Sequence, residues 1–334
     1  MKVVREMERL CLISEHGADD LKHKLMVYKS GDFWIPIGGI KKEDMDIPPV
    51  ITVLLVGLSG SGKSSLINLM YSVLGRSGLI PFSQTSGDSS TYSTMILEEH
   101  NVLRSTRNGF CVYDSRGLDC NRMEDCLAEV TRWMTNGVRH NQPCRFGGDG
   151  VDGSCSSGFV RRRVNYAVVV VDLTDVFKAF FCGGDLKQVE AIKSLFHFPS
   201  LRTSNIDPIL ILTHGDMLQP MERLLSRIKI CSYLGIPVTT GAYDIVCPTD
   251  QCILPEESDP VSFFALTEAV YRILLQSDRT HLPKKTIKDR IIDFLTRVVS
   301  LLAYFFAAIS RILQKWSDQH RMPDLMTTLP KKTC

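Results

Sequence analysis

Apolar residues in this chain are grouped into short runs that alternate with amphipathic stretches. The runs are rich in Val, Ile and Leu, as buried strands are, and they cover 50–56, 94–103, 110–113, 166–173, 209–212 and 242–247. The stretches between them repeat apolar residues every three or four positions and predict helices over 63–74, 122–135, 185–197, 218–234 and 260–276. This alternation predicts an α/β fold with a doubly wound, mostly parallel sheet covered by helices on both faces.

Three parts of the chain depart from this alternation. Residues 1–48 precede the first predicted strand, and we expect an N-terminal extension that packs on a domain spanning 49–278. Residues 136–160 are rich in Gly and Ser and too long for a routine connection, so they are an insertion, most simply a loose surface loop. Residues 279–334 form a basic tail, predicted to be helical.

The tail carries a strongly amphipathic pattern over 289–316. Its uncharged run, 298–310, corresponds to about 20 Å of helix, which is short for a hydrocarbon core of about 30 Å. We therefore expect no membrane span, and three roles stay open: packing on the domain, pairing with a second copy, or binding an anionic membrane surface through 283–316. The polar stripe of the helix contains Arg290, Asp293, Arg297, Ser300, Tyr304, Arg311 and Lys315.

The composition is that of a folded globular protein, with 44% hydrophobic and 23% charged residues among 334. The net charge is +2, with no indication of a nucleic-acid partner, although the tail is basic. The 11 cysteines have neither the spacing of a zinc site nor that of a disulfide framework. Charged residues interrupt the N-terminus, so we expect no signal peptide and a cytoplasmic protein, peripheral to a membrane if the tail binds one.

The stretch GLSGSGKSS, residues 57–65, follows the first predicted strand and opens the first predicted helix. It fits the pattern G-x-x-x-x-G-K-[ST], in which backbone N–H groups cradle phosphates. In this pattern Lys63 reaches the β- and γ-phosphates, and the Ser64 hydroxyl binds Mg²⁺. A strand, a glycine loop and a helix in this order predict a nucleotide site at the start of the helix.

Two further motifs follow later strands. Asp114 and Gly117 form D-x-x-G, where the carboxylate can hold Mg²⁺ through water and the glycine N–H can meet a γ-phosphate. Thr213, His214 and Asp216 come from THGD, which follows the strand 209–212. An ionised carboxylate accepts two hydrogen bonds, and guanine presents two adjacent donors, so Asp216 favours guanine over adenine. The alternative for Asp216 is a helix N-cap for 218–234.

On these motifs the chain resembles TRAFAC-class P-loop GTPases over roughly 50–277, and in particular the interferon-inducible GTPase-like and the GIMAP, Toc and septin branches. The resemblance implies GTP or GDP and Mg²⁺ as ligands, with a fifth base-side loop near 247–251. His214 stands where the family motif usually has Lys. The implied nucleotide contacts are Gly57, Ser59, Gly60, Ser61, Gly62, Lys63, Ser64, Ser65, Asp114, Gly117, Thr213, His214 and Asp216.

The resemblance also bears on hydrolysis. Leu118 follows D-x-x-G at the position where small GTPases often carry the Gln that orients water, and Leu cannot do this. The first switch should supply a Thr to Mg²⁺, and Thr94 is favoured over Thr91 and Thr85 by its distance from Asp114 in sequence. Lys63 and Thr94 are therefore the candidate catalytic groups, and Ser64, Thr94 and Asp114 the candidate metal ligands. Arg116 is either a charge stabiliser or a solvated residue of the switch.

The sequence thus predicts a guanine-nucleotide-binding switch or assembly protein with slow GTP hydrolysis that a partner or a dimer stimulates. The first alternative is a scaffold that holds nucleotide without turnover, as Leu118 would allow. The second, a P-loop ATPase or kinase, is disfavoured by the THGD motif and by the lack of a recognisable acceptor site or lid.

Overall fold

The computed structural model describes residues 17, 19–36, 39–74, 96–103, 109–144, 158–203, 206–247, 260–284 and 287–319. The chain forms two compact units, Met1–Leu282 and Pro283–Cys334. The first unit is built around a seven-stranded sheet, and the described part of the second is a single long helix.

The sheet has the strand order β4-β2-β3-β1-β5-β6-β7. Strands β1, β3, β5, β6 and β7 are parallel, whereas β2 runs antiparallel to β3 and β4 runs antiparallel to β2. The predicted doubly wound, mostly parallel sheet is therefore confirmed. The strands are β1 Val50–Val56, β2 Ile96–His100, β3 Gly109–Asp114, β4 Gln142–Pro143, β5 Tyr166–Asp172, β6 Ile209–Thr213 and β7 Ala242–Asp244.

Helices cover both faces of the sheet and bury a hydrophobic cluster on each. Trp133, Val176 and Leu195 contribute to the cluster on one face, and Leu66 and Leu274 to the cluster on the other. The strands read as continuous apolar runs because they are buried from both sides. The helices of this unit are α1 Lys63–Leu74, α2 Met123–Asn136, α3 Leu173–Phe181, α4 Lys187–Phe196, α5 Pro220–Leu234 and α6 Pro260–Arg279.

The elements differ from the sequence prediction at several boundaries. The sequence pattern extends the fourth predicted strand, which is β5 in the structure, to residue 173. The strand instead ends at Asp172, whose carboxylate accepts a 2.7 Å hydrogen bond from the Thr174 N–H and caps the start of α3. Helix α3 itself was not predicted, because its apolar residues continue those of the strand. Strand β7 ends at Asp244 and not at 247. The first residues of the run 94–103 lie outside the described part of the chain.

The insertion is anchored at both of its described ends, so a loose loop is the wrong interpretation there. Strand β4 pairs with the edge strand β2, and Val138 and Arg162 exchange two backbone hydrogen bonds of 2.8 Å. The Arg162 guanidinium also contacts the carboxylate of Glu99 on β2 at 2.9 Å, with both side chains largely buried. The insertion therefore extends the sheet edge; its middle, 145–157, lies outside the described residues.

The described part of the N-terminal extension belongs to the first unit. Leu25 and Tyr28 are buried in the same cluster as α1 and α6. Asp278, fully buried near the end of α6, accepts hydrogen bonds of 2.9 Å from the Tyr28 hydroxyl and from the Gly31 and Phe33 N–H groups. Burial and the Asp278 carboxylate both raise the pKa of Tyr28, so its hydroxyl stays a donor. One carboxylate therefore fastens this segment to the domain. Residues 1–16 of the extension lie outside the described part of the chain.

The tail helix, α7, spans Ile287–Gln319. Its window Leu295–Leu313 has 19 residues and a mean hydropathy of 1.5, so by length and composition it is able to cross a membrane. The expectation that this helix is too short to span a membrane is therefore wrong. The two charged residues of the window, Arg297 and Arg311, lie within one turn of its ends, where long side chains can reach the interface. The side chains of Arg290, Asp293 and Lys315 lie outside the described part.

The Asp278 contacts generate a stability prediction. Replacing Asp278 with Ala leaves a buried hydroxyl, a buried N–H group and a partly buried N–H group without their acceptor, so we expect the free energy of unfolding to fall by about 3 kcal/mol. Tyr28→Phe removes one of the three bonds and should cost about 1 kcal/mol. Urea unfolding of the full chain measures both variants. A smaller loss for Asp278→Ala than for Tyr28→Phe would contradict the shared-carboxylate interpretation.

Candidate functional site

The glycine-rich loop connects β1 to α1 and is compact. A β-carbon on Gly57 would lie 2.2 Å from the Val170 carbonyl oxygen, so only glycine lets the loop start this close to β5. Gly60 and Gly62 adopt φ values of +77° and +79°, which glycine alone reaches without strain. These glycines curl the backbone around the start of α1, where free N–H groups favour a bound anion.

The Lys63 side chain is folded back into this loop. Its ammonium nitrogen lies 3.2 Å from the Gly57 carbonyl oxygen, 3.0 Å from that of Leu58 and 3.4 Å from the Ser61 hydroxyl. Burial lowers the pKa of Lys63 to about 8, and the nearby Asp114 carboxylate opposes that effect. A phosphate anion in the loop would raise the pKa of Lys63 and favour its charged ammonium. The position of this side chain therefore suits an anionic ligand.

Ser64 and Asp114 meet beside the loop. The Ser64 hydroxyl donates a 2.5 Å hydrogen bond to Asp114 Oδ2, joining the first turn of α1 to the end of β3. Asp114 is fully buried. A hydroxyl and a carboxylate oxygen are hard donors of the kind that Mg²⁺ prefers, so this pair fits a magnesium site next to bound phosphates.

The D-x-x-G segment is hydrogen-bonded to the glycine loop. The Leu118 N–H donates to the Gly57 carbonyl and the Ser59 N–H donates to the Leu118 carbonyl, both at 3.0 Å. A β-carbon on Gly117 would lie 2.4 Å from Ser59 Cα, so glycine is required at this contact. The Leu118 side chain is 1% exposed and packs in the core. The side chain at position 118 is therefore enclosed by apolar residues of the core.

The THGD segment reaches the same loop from β6. The Thr213 hydroxyl oxygen lies 2.9 Å from the Ser61 carbonyl oxygen and 3.2 Å from that of Val171. A β-carbon on Gly62 would lie 3.2 Å from His214 Cε1, so the imidazole lies against the loop. Residues about 150 positions apart in sequence, such as Ser61 and Thr213, are thus in contact.

Asp216 lies two residues beyond His214 in the turn Gly215–Met217, and its side chain is exposed. The alternative role of helix cap is excluded, because Gln219 is the N-cap of α5 and forms a capping box with Glu222. Gly215 lies against the ion pair of Arg223 and Asp244, whose Nε and Oδ2 atoms are 2.6 Å apart. The turn is therefore fixed on its inner side and presents Asp216 on its outer side.

His214 is the most unusual residue of the site. It adopts a left-handed conformation with φ of 55°, and its Nδ1 lies 3.2 Å from Asp172 Oδ2 and 3.1 Å from the Thr213 hydroxyl. The hydrogen bond to Asp172 raises the pKa of His214, and burial opposes that effect. Burial also works to raise the pKa of Asp172, but hydrogen bonds from His214 and Thr174 hold it below its usual value.

Two neighbours of the site were not identified from the sequence. Asp172 is the last residue of β5, where the apolar pattern gives no indication of a partner for His214. Cys144 is a buried residue of the insertion, and the Arg116 N–H of D-x-x-G contacts its sulfur. Burial raises the pKa of the Cys144 thiol to about 12. Its position depends on the anchoring of the insertion, which no local motif predicts.

The remaining candidate residues divide into two sets. Ser65 lies in the first turn of α1, next to Ser64. Thr85, Thr91 and Thr94 lie outside the described residues, as does most of the loop 247–251. The structure thus brings the phosphate, metal and base candidates together without describing the first switch.

A comparison with solved structures finds 224 chains that are similar to this protein. One is the crystal structure of a probable GTP-binding protein engB, at 13% identity and a TM-score of 0.37, covering 67% of this chain and 98% of that chain. Another is a bacterial selenocysteine-specific elongation factor EF-Sec, at 12% identity and a TM-score of 0.36, covering 67% of this chain and 28% of that one. No protein-family model and no curated protein sequence matches.

The architecture itself defines the class of this domain. The glycine loop joins the central strand β1 to α1, and the D-x-x-G and THGD segments leave the carboxyl ends of β3 and β6 to meet it. Ligands of open α/β sheets bind at this edge. The first unit therefore has the P-loop GTPase type of α/β fold, with the residues of a nucleotide site gathered around one loop.

Proposed function

We propose that the protein binds GTP and GDP. The observation that carries this proposal is the contact between the THGD segment and the phosphate loop, in which the Thr213 hydroxyl lies 2.9 Å from the Ser61 carbonyl oxygen. Because the two segments touch, a nucleotide with its phosphates in the loop has its base within reach of Asp216. An acceptor-only carboxylate there matches the paired donors of guanine and repels the acceptor edge of adenine.

The remaining groups of the site take the roles that phosphate binding requires. The N–H groups of 57–65 and the Lys63 ammonium would hold the phosphates. Ser64 and Asp114, with Thr94 from the first switch, would hold Mg²⁺, which neutralises phosphate charge. Gly117 would turn its N–H toward a γ-phosphate. The contact of Ser64 with Asp114 supports the metal assignment, because the two oxygens already share one location.

We further propose that hydrolysis is slow in the isolated protein and rises when a partner or a second copy completes the site. The buried Leu118 side chain supports this, since an apolar group in the core cannot orient an attacking water. A scaffold that never hydrolyses GTP is the alternative with the same support. An ATPase or kinase is less consistent with the position of Asp216.

The D-x-x-G contacts support the proposed role as a switch or assembly GTPase. Leu118 is hydrogen-bonded to Gly57 and Ser59 of the phosphate loop, so a γ-phosphate that draws in Gly117 must rearrange this segment. The segment leads directly into α2, which would carry the change outward. We propose that the protein is a TRAFAC-class GTPase that resembles the interferon-inducible, GIMAP, Toc and septin branches.

Base preference is the first test. Titration of fluorescent guanine and adenine nucleotides should give at least about tenfold tighter binding of GDP than of ADP. Asp216→Ala should remove most of this preference, because the variant loses the paired acceptor. Lys63→Ala should weaken triphosphate binding whichever base is present, and it serves as the control for phosphate binding. Equal affinity of the unmodified protein for both bases would overturn the guanine assignment.

Turnover is the second test. Because Leu118 cannot orient water, we expect little GTP hydrolysis in dilute protein and a higher rate per molecule as the concentration rises. Phosphate release at several protein concentrations measures this, with Lys63→Ala as the inactive control. Fast hydrolysis that does not depend on concentration would contradict the proposal. Tight binding without hydrolysis at any concentration would favour the scaffold.

We also propose that helix α7 associates with an anionic membrane surface on the cytoplasmic side. Leu302, Phe306 and Leu313 are exposed, and they lie on the side of the helix opposite the polar stripe of Arg297 and Arg311. The window is long enough to span a membrane, but Ser300 and Tyr304 continue the stripe through its middle. A polar stripe along a whole helix favours an orientation in the plane of the interface.

Membrane association is tested by deleting 283–334. The full chain should sediment with anionic vesicles, and the truncated chain should stay soluble, bind guanine nucleotide and remain in the supernatant. Neutral vesicles are the matched control, because the arginines favour an anionic surface. An insoluble truncation would indicate instead that the helix packs against protein. Carbonate-resistant retention of the full chain in cell membranes would contradict a surface location and indicate a span.

A further inference from the structure

His214 occupies a position between the phosphate loop and the base-side turn. Its ring lies against Gly62, and its main chain leads in two residues to Asp216. The left-handed backbone at His214 is uncommon for a residue with a side chain, and it fixes the direction of the imidazole. The ring is further held through Nδ1, which faces Asp172 and the Thr213 hydroxyl. The ring is thus positioned by its surroundings before any ligand binds.

Acidic groups dominate the charges around this ring. Asp172 ends β5, Asp175 lies in the first turn of α3, and Asp216 lies in the turn Gly215–Met217. All three carboxylates favour a protonated imidazole. The one charged residue of the phosphate loop, Lys63, directs its ammonium to the carbonyls of Gly57 and Leu58. On the far side of Gly215, Arg223 and Asp244 neutralise each other.

We propose that His214 is the titratable cation of the nucleotide site and that Asp172 is its positioning partner, so that guanine-nucleotide affinity decreases as the pH rises. This inference rests on the proposed binding of guanine nucleotides. The protonated ring lies against the loop that would hold the phosphates, and there it adds a second positive charge to that of Lys63. Asp172 fixes Nδ1 as the donor edge and leaves Nε2 as the edge available to a ligand.

The sign of the pH dependence follows from linkage. Asp172 raises the pKa of His214 in the free protein, and an anionic nucleotide beside the ring raises it further in the complex. The affinity is therefore greatest below the pKa of the free protein and falls as the pH rises from that value to the pKa of the complex. An increase of about one pKa unit on binding corresponds to about tenfold weaker binding on the alkaline side.

The experiment is the pH profile of GDP affinity between about pH 5.5 and about pH 7.5, a range below the ordinary titration of Tyr and Lys side chains and below the pKa of about 8 of the buried Lys63. Fluorescence polarisation of a labelled GDP is the readout, on the full chain. His214→Lys carries a charge throughout this range and should bind with a flat profile. His214→Gln should bind about tenfold more weakly at low pH and should also give a flat profile.

The variant Asp172→Asn distinguishes the effect of Asp172 on His214 from its structural role as the N-cap of α3. Asn is as good an N-cap as Asp, so α3 keeps its start, while the negative charge beside His214 is lost. The midpoint of the pH profile should shift to lower pH by about one unit, which a purely structural residue would not cause. His197→Gln is the matched control, since His197 follows α4 and does not belong to the site; its profile should match that of the unmodified protein.

The outcomes are distinct. A flat GDP profile in the unmodified protein, with guanine preference intact, would overturn the role of His214 and leave the proposed function standing. A sloping profile that His214→Gln does not flatten would also overturn it. Absence of guanine binding at every pH would overturn the proposed function itself. Three results together support the proposed roles of His214 and Asp172. The GDP affinity of the unmodified protein falls as the pH rises, both His214 variants give flat profiles, and Asp172→Asn moves the midpoint to lower pH.

Discussion

The site depends on the parallel pairing of β1 with β3 on one side and with β5 on the other. In this register Leu54 pairs with Tyr113 and Val56 with Val169, so the carboxyl ends of the three strands lie at the same edge of the sheet, with β5 continuing beyond the end of β1 to Asp172. Pairing of β5 with β6 then sets Asp172 beside Thr213. Each strand is followed by a motif that is polar or rich in glycine, and only a common edge makes these motifs neighbours.

Much of this arrangement could be predicted from the sequence, because the signals are local. Runs of Val and Leu mark strands buried on both faces, and the loop 57–65 has a fixed spacing. The start of α3 at Leu173 was missed, since its apolar residues continue those of the strand. The contact of His214 with Asp172 was missed for a different reason: it depends on the register of β5 against β6, which no single segment encodes.

The insertion illustrates how composition alone misleads. Gly and Ser between 136 and 160 indicate a loose loop, yet its described ends are joined to β2 by strand pairing and by the buried contact of Arg162 with Glu99. A partly buried ion pair is retained only where its geometry and hydrogen bonds compensate for lost hydration, and the Tyr113 hydroxyl adds a 2.6 Å bond to Glu99. The insertion thereby brings Cys144 to the D-x-x-G segment, so any movement of that segment must also act on the insertion.

Leu118 shows how one residue serves both packing and the site. Its main chain is hydrogen-bonded to Gly57 and Ser59 at the start of the loop, and its side chain is buried in the core. A glutamine in this orientation would bury an amide without water, at a cost of about 1 to 3 kcal/mol. The apolar residue is therefore set by how this segment packs against the phosphate loop. If the protein hydrolyses GTP as proposed, the water-orienting group has to come from another segment or from a partner, because the Leu118 side chain is apolar and buried in the core.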